Sequence, residues 1–189
     1  MALDCKKNVL TALLINAQSL EPKIVSFKKI LYEMNADVCF ITETWFANLE
    51  RLDVLLEEFE NETGWKLIRM DRRSGKRGGG IAIAYNARKI QAKIPYSKHE
   101  MVAAIGRRRG QRRKLAMLLA YVPPWYNAEQ TKSFYNATNN ALLAINQKYT
   151  NPYVLVGGDL NRRSFGEVTR EYPTIKPILT GPTRGGGQP

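Results

Sequence analysis

The amino-acid sequence predicts an α/β sandwich formed by a single domain. Apolar runs typical of buried strands alternate with amphipathic helices early in the chain, hairpins follow, and a helix and one further strand come last. No glycine fingerprint follows the first strand and no lysine-containing phosphate loop occurs, which disfavours a Rossmann-type sheet. The 189 residues fit one domain covering 1–189 with a sizeable core.

The first half of the chain predicts four strands and two helices. The spacing of Ile24, Phe27, Leu31 and Met34 is that of one helix face, and Pro22 stands at the start of this helix. The other elements are a buried strand over Asn8–Ile15, a buried strand over Asp37–Thr42, a short helix over residues 50–60, and strands over Trp65–Met70 and Gly80–Tyr85.

The second half predicts a hairpin and a helix before the last strand. The hairpin pairs Met101–Ile105 with Leu115–Tyr121, and Pro123-Pro124 ends its second strand because proline cannot continue a central strand. Residues 129–147 suit a helix, and residues 162–189 show no further strand pattern.

The last predicted strand is followed directly by polar side chains. Val154–Val156 is an uninterrupted apolar run, as expected of a strand buried on both faces. We expect Gly157-Gly158 to let the backbone turn tightly at its end. Asp159 and Asn161 can then point to one side while Leu160 points inward.

Composition restricts the class of partner. The chain has 29 Lys and Arg against 17 Asp and Glu, a formal net charge of +12. This favours a polyanion, either nucleic acid or an anionic membrane surface, and composition alone does not choose between them. No apolar run approaches the ~20 residues of a membrane span, and the start of the chain does not match a signal peptide. Cys5 and Cys39 are too few for a disulfide framework, so we expect an intracellular, reducing compartment.

Polar side chains stand at the ends of four predicted strands: Asn16, Glu43, Tyr121, and Asp159 with Asn161. Where strands share a direction, these ends lie on one rim of the sheet. Two carboxylates, two amides and a phenol on a rim can hold Mg²⁺ and a phosphate, and the metal would help to lower the pKa of an attacking water. The alternative is structural: solvated strand ends, turn-capping asparagines and a core tyrosine.

Five segments in order resemble the successive motifs of the endonuclease/exonuclease/phosphatase superfamily. They are Asn16, Ile41–Trp45, Gly78–Ala82, Tyr121–Pro124 and Gly158–Asn161. The sequences of residues 16–20 and 182–185 are also similar to those of endonuclease domains of non-LTR (LINE-type) retrotransposons. The resemblance runs from residue 8 to residue 184. Any one motif is a weak signal, whereas five in order are a strong one.

The resemblance implies a fold, a reaction and a cofactor. The fold is a four-layer α/β sandwich, with two packed mixed β-sheets flanked by helices. The reaction is phosphodiester hydrolysis that nicks one DNA strand, with Mg²⁺ or alternatively Mn²⁺. It implies no membrane partner and no small-molecule cofactor, and a nuclear location.

The resemblance also implies roles for individual residues. Glu43 would be a metal ligand, and Asp159 would activate or orient the attacking water. Asn16 and Asn161 would hold water and phosphate oxygens, and Tyr121 would contact the scissile phosphate.

Two departures from the family pattern affect the expected activity. Gln18 stands where abasic-site repair members carry an acid, which agrees with the retroelement resemblance. The family ends in a Ser-Asp-His segment, preceded by another aspartate, and the sequence stops before both. Its one histidine, His99, is expected to be an exposed residue before the Met101 strand. We therefore expect a truncated domain with an incomplete second sheet, and weak or absent activity.

The basic residues are predicted to lie in different places relative to the active site. The cluster before the Gly80 strand and the pair after Asn161 are expected near substrate phosphates, and Thr183 matches a threonine lining the site. The first cluster contains Arg72, Arg73, Lys76 and Arg77, and the pair is Arg162 and Arg163. The cluster at 107–114 should point away from the site, because the strand after it needs six steps, or about 20 Å, to reach the rim. It could be a solvated turn, an RNA or import patch, or a charged guard of the sheet edge.

Three functions remain open from the sequence. The first is a DNA-nicking retroelement nuclease domain, which the motif order and the charge favour. The second is a non-catalytic remnant that binds nucleic acid electrostatically, which the missing histidine favours. The third is a phosphatase of the same superfamily, acting on lipid or nucleotide phosphates.

Overall fold

The computed structural model describes residues 9–46, 49–72, 78–97 and 100–161. The strands are β1 (Ala12–Asn16), β2 (Val38–Thr42), β3 (Trp65–Met70), β4 (Ile81–Asn86), β5 (Ile90–Ser97), β6 (Met101–Arg108), β7 (Leu115–Tyr121) and β8 (Tyr153–Asp159). The α-helices are α1 (Ile24–Glu33), α2 (Leu49–Thr63) and α3 (Ala128–Lys148), and a short 3₁₀ turn, Glu21–Lys23, precedes α1. Within these ranges, no helix combines the length and the apolar character that crossing a bilayer would require.

The strands form two four-stranded mixed sheets. The order in the first sheet is β1-β2-β4-β3 and in the second β5-β6-β7-β8. Each sheet contains one parallel pair, β1 with β2 and β7 with β8, and its other pairs are antiparallel. Strands of a parallel pair end at the same edge of the sheet, so each sheet presents two carboxyl ends side by side.

Alternating side chains divide the molecule into four layers. In β4, Ala82 packs toward α1 and α2, whereas Ile83 packs between the two sheets. In β7, Leu118 packs under α3, whereas Leu119 faces the space between the sheets. The layers are therefore helices, sheet, sheet and helix, which confirms the predicted four-layer α/β sandwich.

The two glycines of the last strand have a different role from the predicted one. They do not turn the chain, because β8 continues through them to Asp159. A Cβ at Gly157 would lie 2.5 Å from the ring of Phe40, and one at Gly158 would lie 1.9 Å from the carbonyl oxygen of Ala120. The glycines therefore allow the other sheet and the neighbouring strand to approach closely.

Four smaller expectations also differ from the structure. The first strand is partly exposed rather than buried, because β1 is at a sheet edge. Met34 lies beyond α1 and is exposed, whereas the other three predicted residues of that helix face are buried. β5 was not predicted, and β6 runs three residues further than expected, to Arg108.

Candidate active site

The end of the first sheet presents Asn16 and Glu43 next to each other. Asn16 is paired with Thr42 in the parallel ladder, and Glu43 follows Thr42 directly. Glu43 has a φ of 58° and Trp45 a φ of 54°, left-handed values that are uncommon for residues other than glycine. The turn is held by the backbone N–H of Trp45, which donates to the carbonyl of Gly79 at 3.0 Å. The strained turn thus lies at one of the predicted functional positions.

The Glu43 carboxylate accepts three hydrogen bonds. The Tyr121 hydroxyl donates to Oε1, and both the Trp45 indole N–H and the Gly79 backbone N–H donate to Oε2, the last at 2.7 Å. Burial by itself would raise the pKa of this carboxyl. The three hydrogen bonds and the positive charge of Arg72 outweigh burial and lower the pKa below its usual 4.5. Glu43 is therefore ionised at neutral pH.

A loop of three glycines shapes the cradle around Glu43. Gly78, Gly79 and Gly80 have φ values of 98°, 79° and 79°, which residues with a Cβ rarely adopt. A Cβ at Gly80 would lie 2.4 Å from the hydroxyl oxygen of Thr44. Glycine therefore allows this loop to pass close to the Glu43 turn and to direct a backbone N–H at the carboxylate.

The end of the second sheet presents Tyr121 and Asp159 side by side. They are partners in the parallel ladder, and the N–H of Val122 donates to the carbonyl of Asp159 at 3.0 Å. The Asp159 carboxylate accepts from the backbone N–H of Asn161 at 2.9 Å. Burial and the nearby Glu43 carboxylate raise the pKa of Tyr121, which keeps its hydroxyl protonated.

Side-chain contacts join the two sheet ends into one site. The amide nitrogen of Asn16 donates to Oδ2 of Asp159 at 3.0 Å, and Tyr121 of the second sheet donates to Glu43 of the first. Two separate contacts across the gap between the sheets thus join four of the predicted site residues, although Asn16 and Asp159 are 143 positions apart in the sequence. The structure brings Asn16, Glu43, Tyr121 and Asp159 together, as the strand-end pattern indicates.

Asn161 lies at the edge of this site with a mainly local set of contacts. Its φ is 55°, and its side-chain amide donates to the carbonyl of Val122 at 2.7 Å. Leu160, between it and Asp159, is buried as expected. Asn161 thus holds the chain turn that orients the Asp159 carboxylate, and its direct contact with substrate stays a prediction.

Arg72 is held beside the site by Glu100. Its Nε donates to Oε1 of Glu100 at 2.7 Å and its Nη2 donates to the same oxygen, while its guanidinium carbon lies 4.8 Å from the ring centre of Trp125. Burial raises the pKa of Glu100, although Arg72 acts in the opposite direction. The Nη1 atom of Arg72 is buried without a hydrogen-bond partner in the described part of the chain. It is a free donor next to the Glu43 carboxylate.

Sequence reasoning assigned no functional contact to Trp45, Glu100 or Trp125. The Trp45 indole donates to Glu43. Glu100 precedes β6, and its carbonyl accepts from the N–H of Tyr121. The hairpin register could have placed it there, because pairing Gly106 with Leu115 puts Glu100 opposite Tyr121.

Several predicted site residues lie outside the described residues. They are Arg73, Lys76, Arg77, Arg162, Arg163 and Thr183. The same holds for His99. Their proposed contacts with substrate remain predictions.

Comparison with known proteins identifies the family. A family model described as the Endonuclease/Exonuclease/phosphatase family matches residues 11–188. The chain belongs to this family. Nucleases and phosphatases both hydrolyse phosphate esters, so phosphate-ester hydrolysis is the chemistry of the endonuclease/exonuclease/phosphatase family. A search of curated protein sequences finds no significant match.

Solved structures of the family share the fold at low sequence identity. The mannosyl-6-phosphatase Bt3783 of Bacteroides thetaiotaomicron is 9% identical with a TM-score of 0.60, covering 86% of this chain and 70% of its own. The human Nocturnin catalytic domain is 13% identical with a TM-score of 0.55, covering 80% and 61%. An AP endonuclease from Archaeoglobus fulgidus is 17% identical with a TM-score of 0.52, covering 80% and 57%. The chain thus spans roughly 60–70% of the length of these structures.

The site's donor set fits the divalent metal ion that enzymes of this family generally use. Glu43 and Asp159 supply carboxylate oxygens, and the side-chain oxygen of Asn16 is buried with no hydrogen-bond partner in the described residues. These are all hard oxygen ligands, which Mg²⁺ and Mn²⁺ prefer. No cluster of three or more His, Cys, Asp or Glu side chains occurs within the described ranges. One or two carboxylates are nevertheless enough for Mg²⁺, which keeps several waters.

Removing the Tyr121 hydroxyl should show how much its hydrogen bond to Glu43 contributes to the free energy of unfolding. We expect Tyr121→Phe to lower the free energy of unfolding by about 1.5 kcal/mol near pH 7, because it removes a hydrogen bond to an ionised carboxylate. The folded-state pKa of Glu43 is lowered, so this contribution is present above the usual value of 4.5 and is lost as pH falls through the lowered value.

Urea unfolding near neutral pH and well below pH 4.5 measures the difference. Tyr32→Phe is the control, since Tyr32 is 89% exposed. A Tyr121→Phe deficit of equal size at both pH values would show that the bond to ionised Glu43 is not its source.

Proposed function

We propose that the chain is a divalent-metal-dependent phosphodiesterase domain that nicks one strand of DNA, as the endonuclease domain of a non-LTR retroelement in the nucleus would. The observation that carries the proposal is the junction of the two sheets, where Asn16 contacts Asp159 and Tyr121 contacts Glu43. Two carboxylates on either side of the gap between the sheets do not stabilise the buried strand ends. The same arrangement is what binding of a cation and a phosphate requires.

Each residue of the junction has a distinct role in this proposal. Glu43 and the side-chain oxygen of Asn16 hold the cation, which neutralises charge on the phosphate when bound. Asp159 orients the attacking water and accepts its proton. Tyr121, with its raised pKa, remains a hydrogen-bond donor and contacts the scissile phosphate. Arg72 adds a donor for a phosphate oxygen through its unpartnered Nη1.

Charge favours DNA over a small phosphate ester. The net charge of +12 suits a long polyanion. Basic residues 73, 76 and 77 follow β3, and residues 162 and 163 follow the site residue Asn161, so both groups are close in sequence to the site. The similarity in fold to an AP endonuclease is compatible with a nucleic-acid substrate.

Two alternatives each have an observation in their favour. A phosphatase acting on a small ester is favoured by the similarity in fold to a mannosyl-6-phosphatase. A binding domain without catalysis is favoured by the absence of histidine from the described residues, since the family relies on one to polarise the phosphate.

Plasmid nicking tests the proposal against both alternatives. We expect supercoiled plasmid to be converted to the nicked form with Mg²⁺ and an excess of protein, and conversion to stop with EDTA. Protein is in excess because the described site contains no histidine and turnover should be slow. Glu43→Gln should reduce the rate by about 10–100-fold, as loss of a metal ligand does. Glu33→Gln, at an exposed carboxylate at the end of α1, should leave it unchanged.

The other outcomes identify the alternatives. Turnover of a small phosphomonoester without nicking would show a phosphatase. Binding that weakens steeply with salt, ignores Mg²⁺ and leads to no cleavage would show a binding domain.

A further inference from the structure

The tip of the β6–β7 hairpin is the most basic described segment that the active site does not use. Residues 107–114, the basic hairpin, contain six basic side chains and no acidic one: Arg107, Arg108, Arg109, Arg112, Arg113 and Lys114. Removing these six charges would lower the formal net charge from +12 to +6. The basic hairpin therefore carries half of the excess positive charge of the chain.

These charges are not neutralised by neighbours. Arg69, Arg72 and Lys89 each form an ion pair with a carboxylate, whereas none of the six basic residues of the hairpin forms one in the described part of the chain. Near the active site, Arg72 is paired with Glu100. The hairpin therefore brings six basic side chains without an ion pair in the described residues into a segment of eight residues.

The basic hairpin borders an open cavity of about 440 Å³. It is lined by Gln91, Arg107, Arg109, Gly110, Gln111 and Arg112. The backbone fixes this shape. The N–H of Arg109 donates to the carbonyl of Lys89, the N–H of Gln111 donates to Arg108, and Gly110 takes the left-handed φ of +80°. An open cavity of this size, lined by arginine and glutamine residues, can accept a nucleotide and its phosphate.

An aromatic surface lies next to the hairpin. The Arg113 guanidinium donates to the side chain of Asn151 at 2.7 Å and stacks on Tyr153, with 3.8 Å between its carbon and the ring centre. Tyr153 is 51% exposed, so part of the ring remains open. An exposed aromatic ring close to basic side chains can stack a base of a single strand.

This surface is at the opposite end of the second sheet from the active site. Leu115 pairs with Tyr153 at the hairpin end, and Tyr121 pairs with Asp159 at the site end. Six residue steps along β7 separate the two ends, about 20 Å. A phosphate in the hairpin cavity is thus not the phosphate that faces Glu43.

We propose that the basic hairpin is a second nucleic-acid site, which binds a single strand that passes around the hairpin tip. The strand makes arginine–phosphate contacts at Arg107, Arg109 and Arg112 on one face of the sheet, and one base stacks on Tyr153 on the other face. No large apolar side chain in the hairpin is available to enter a bilayer, which argues against a membrane surface. The proposal does not depend on catalysis at the other end. It adds a binding function about 20 Å from the active site.

Fluorescence anisotropy in EDTA tests the proposal with labelled single-stranded RNA, single-stranded DNA and duplex DNA of about 12 nucleotides. The test variant is Arg107→Gln/Arg109→Gln/Arg112→Gln. The control, Lys29→Gln/Lys66→Gln/Lys132→Gln, removes the same charge from exposed positions elsewhere. In about 50 mM salt, we expect the test variant to bind a single strand at least about 10-fold more weakly than the wild type. The slope of log affinity against log salt concentration should also become shallower by about 2, because each of the three lost phosphate contacts contributes ~0.7. The control should change by less than about 3-fold.

The remaining arms test the aromatic ring against a position outside both sites. Tyr153→Ala should weaken binding of the single strand, and Asp53→Asn, at an exposed carboxylate that pairs with Arg69, should leave it unchanged. If the two triple variants weaken single-strand binding equally, the effect is due to net charge alone, and the proposal is overturned. Complete displacement by inorganic tripolyphosphate, with no effect of Tyr153→Ala, would show a small-anion site and also overturn it. Preferential binding of duplex DNA would do the same.

Discussion

Replacing Asp159 with Asn is expected to reduce the Mg²⁺-dependent nicking rate by at least about 100-fold, the usual contribution of a positioned proton acceptor. Asn keeps the shape of the side chain but cannot take a proton from water. The fold should tolerate the change. An amide nitrogen at this position would face a donor, and Asn16 can rotate its amide to present its oxygen instead. This preserves the fold but withdraws the Asn16 oxygen from the cation, which also lowers the rate.

Single-turnover nicking and thermal unfolding measure the two effects separately. Asp53→Asn serves as the matched control, because Asp53 is an exposed carboxylate that pairs with Arg69 away from the site. A nicking rate for Asp159→Asn within about 3-fold of the wild type would exclude its assigned role.

Replacing Gly158 with Ala is expected to lower the free energy of unfolding by about 3 kcal/mol or more. The added Cβ would lie 1.9 Å from the carbonyl oxygen of Ala120 and 2.9 Å from its carbon. These are backbone atoms of the neighbouring strand, so no side-chain rotation relieves the overlap, and β7 and β8 must separate. Because Asp159 is the next residue, nicking should also fall.

The control for this change is Gly110→Ala. Gly110 has a φ of +80° but no atom within 4 Å of a built Cβ, so only the left-handed conformation has a cost, about 1 kcal/mol. Urea unfolding of both variants separates steric overlap from backbone strain. Similar small losses for both would show that β8 can move away from β7 without penalty.

The strands with uninterrupted apolar residues could be predicted from sequence, because burial on both faces leaves a clear pattern. β5 could not, since Lys93 and Pro95 interrupt its apolar residues. The ladder between β5 and β6 shifts register between Lys93 and Tyr96, and β5 is at the edge of its sheet. Proline is tolerated in such a place, so here position in the sheet overrides local propensity.

The candidate site was predictable where it depends on strand ends, and not where it depends on loop conformation. Asn16, Glu43, Tyr121 and Asp159 follow from the ends of parallel strands. The hydrogen bond from Trp45 to Glu43 depends on two left-handed residues that are not glycine, and no sequence rule identifies these. The two glycines of β8 have a role that only the packing between sheets and strands reveals.

The central claim is that Glu43 and Asp159 act on one bound cation. Titration of Mn²⁺, followed by electron paramagnetic resonance of the free ion, tests it in the wild type, Glu43→Gln, Asp159→Asn and the double variant. We expect each single variant to weaken binding by about 10–100-fold, and the double variant to lose little beyond the larger single loss. The reason is that Glu43 is a ligand and Asp159 orients the ligand Asn16 through their hydrogen bond, so both act on the same ion. Mn²⁺ binding that either single variant leaves unchanged would contradict the claim.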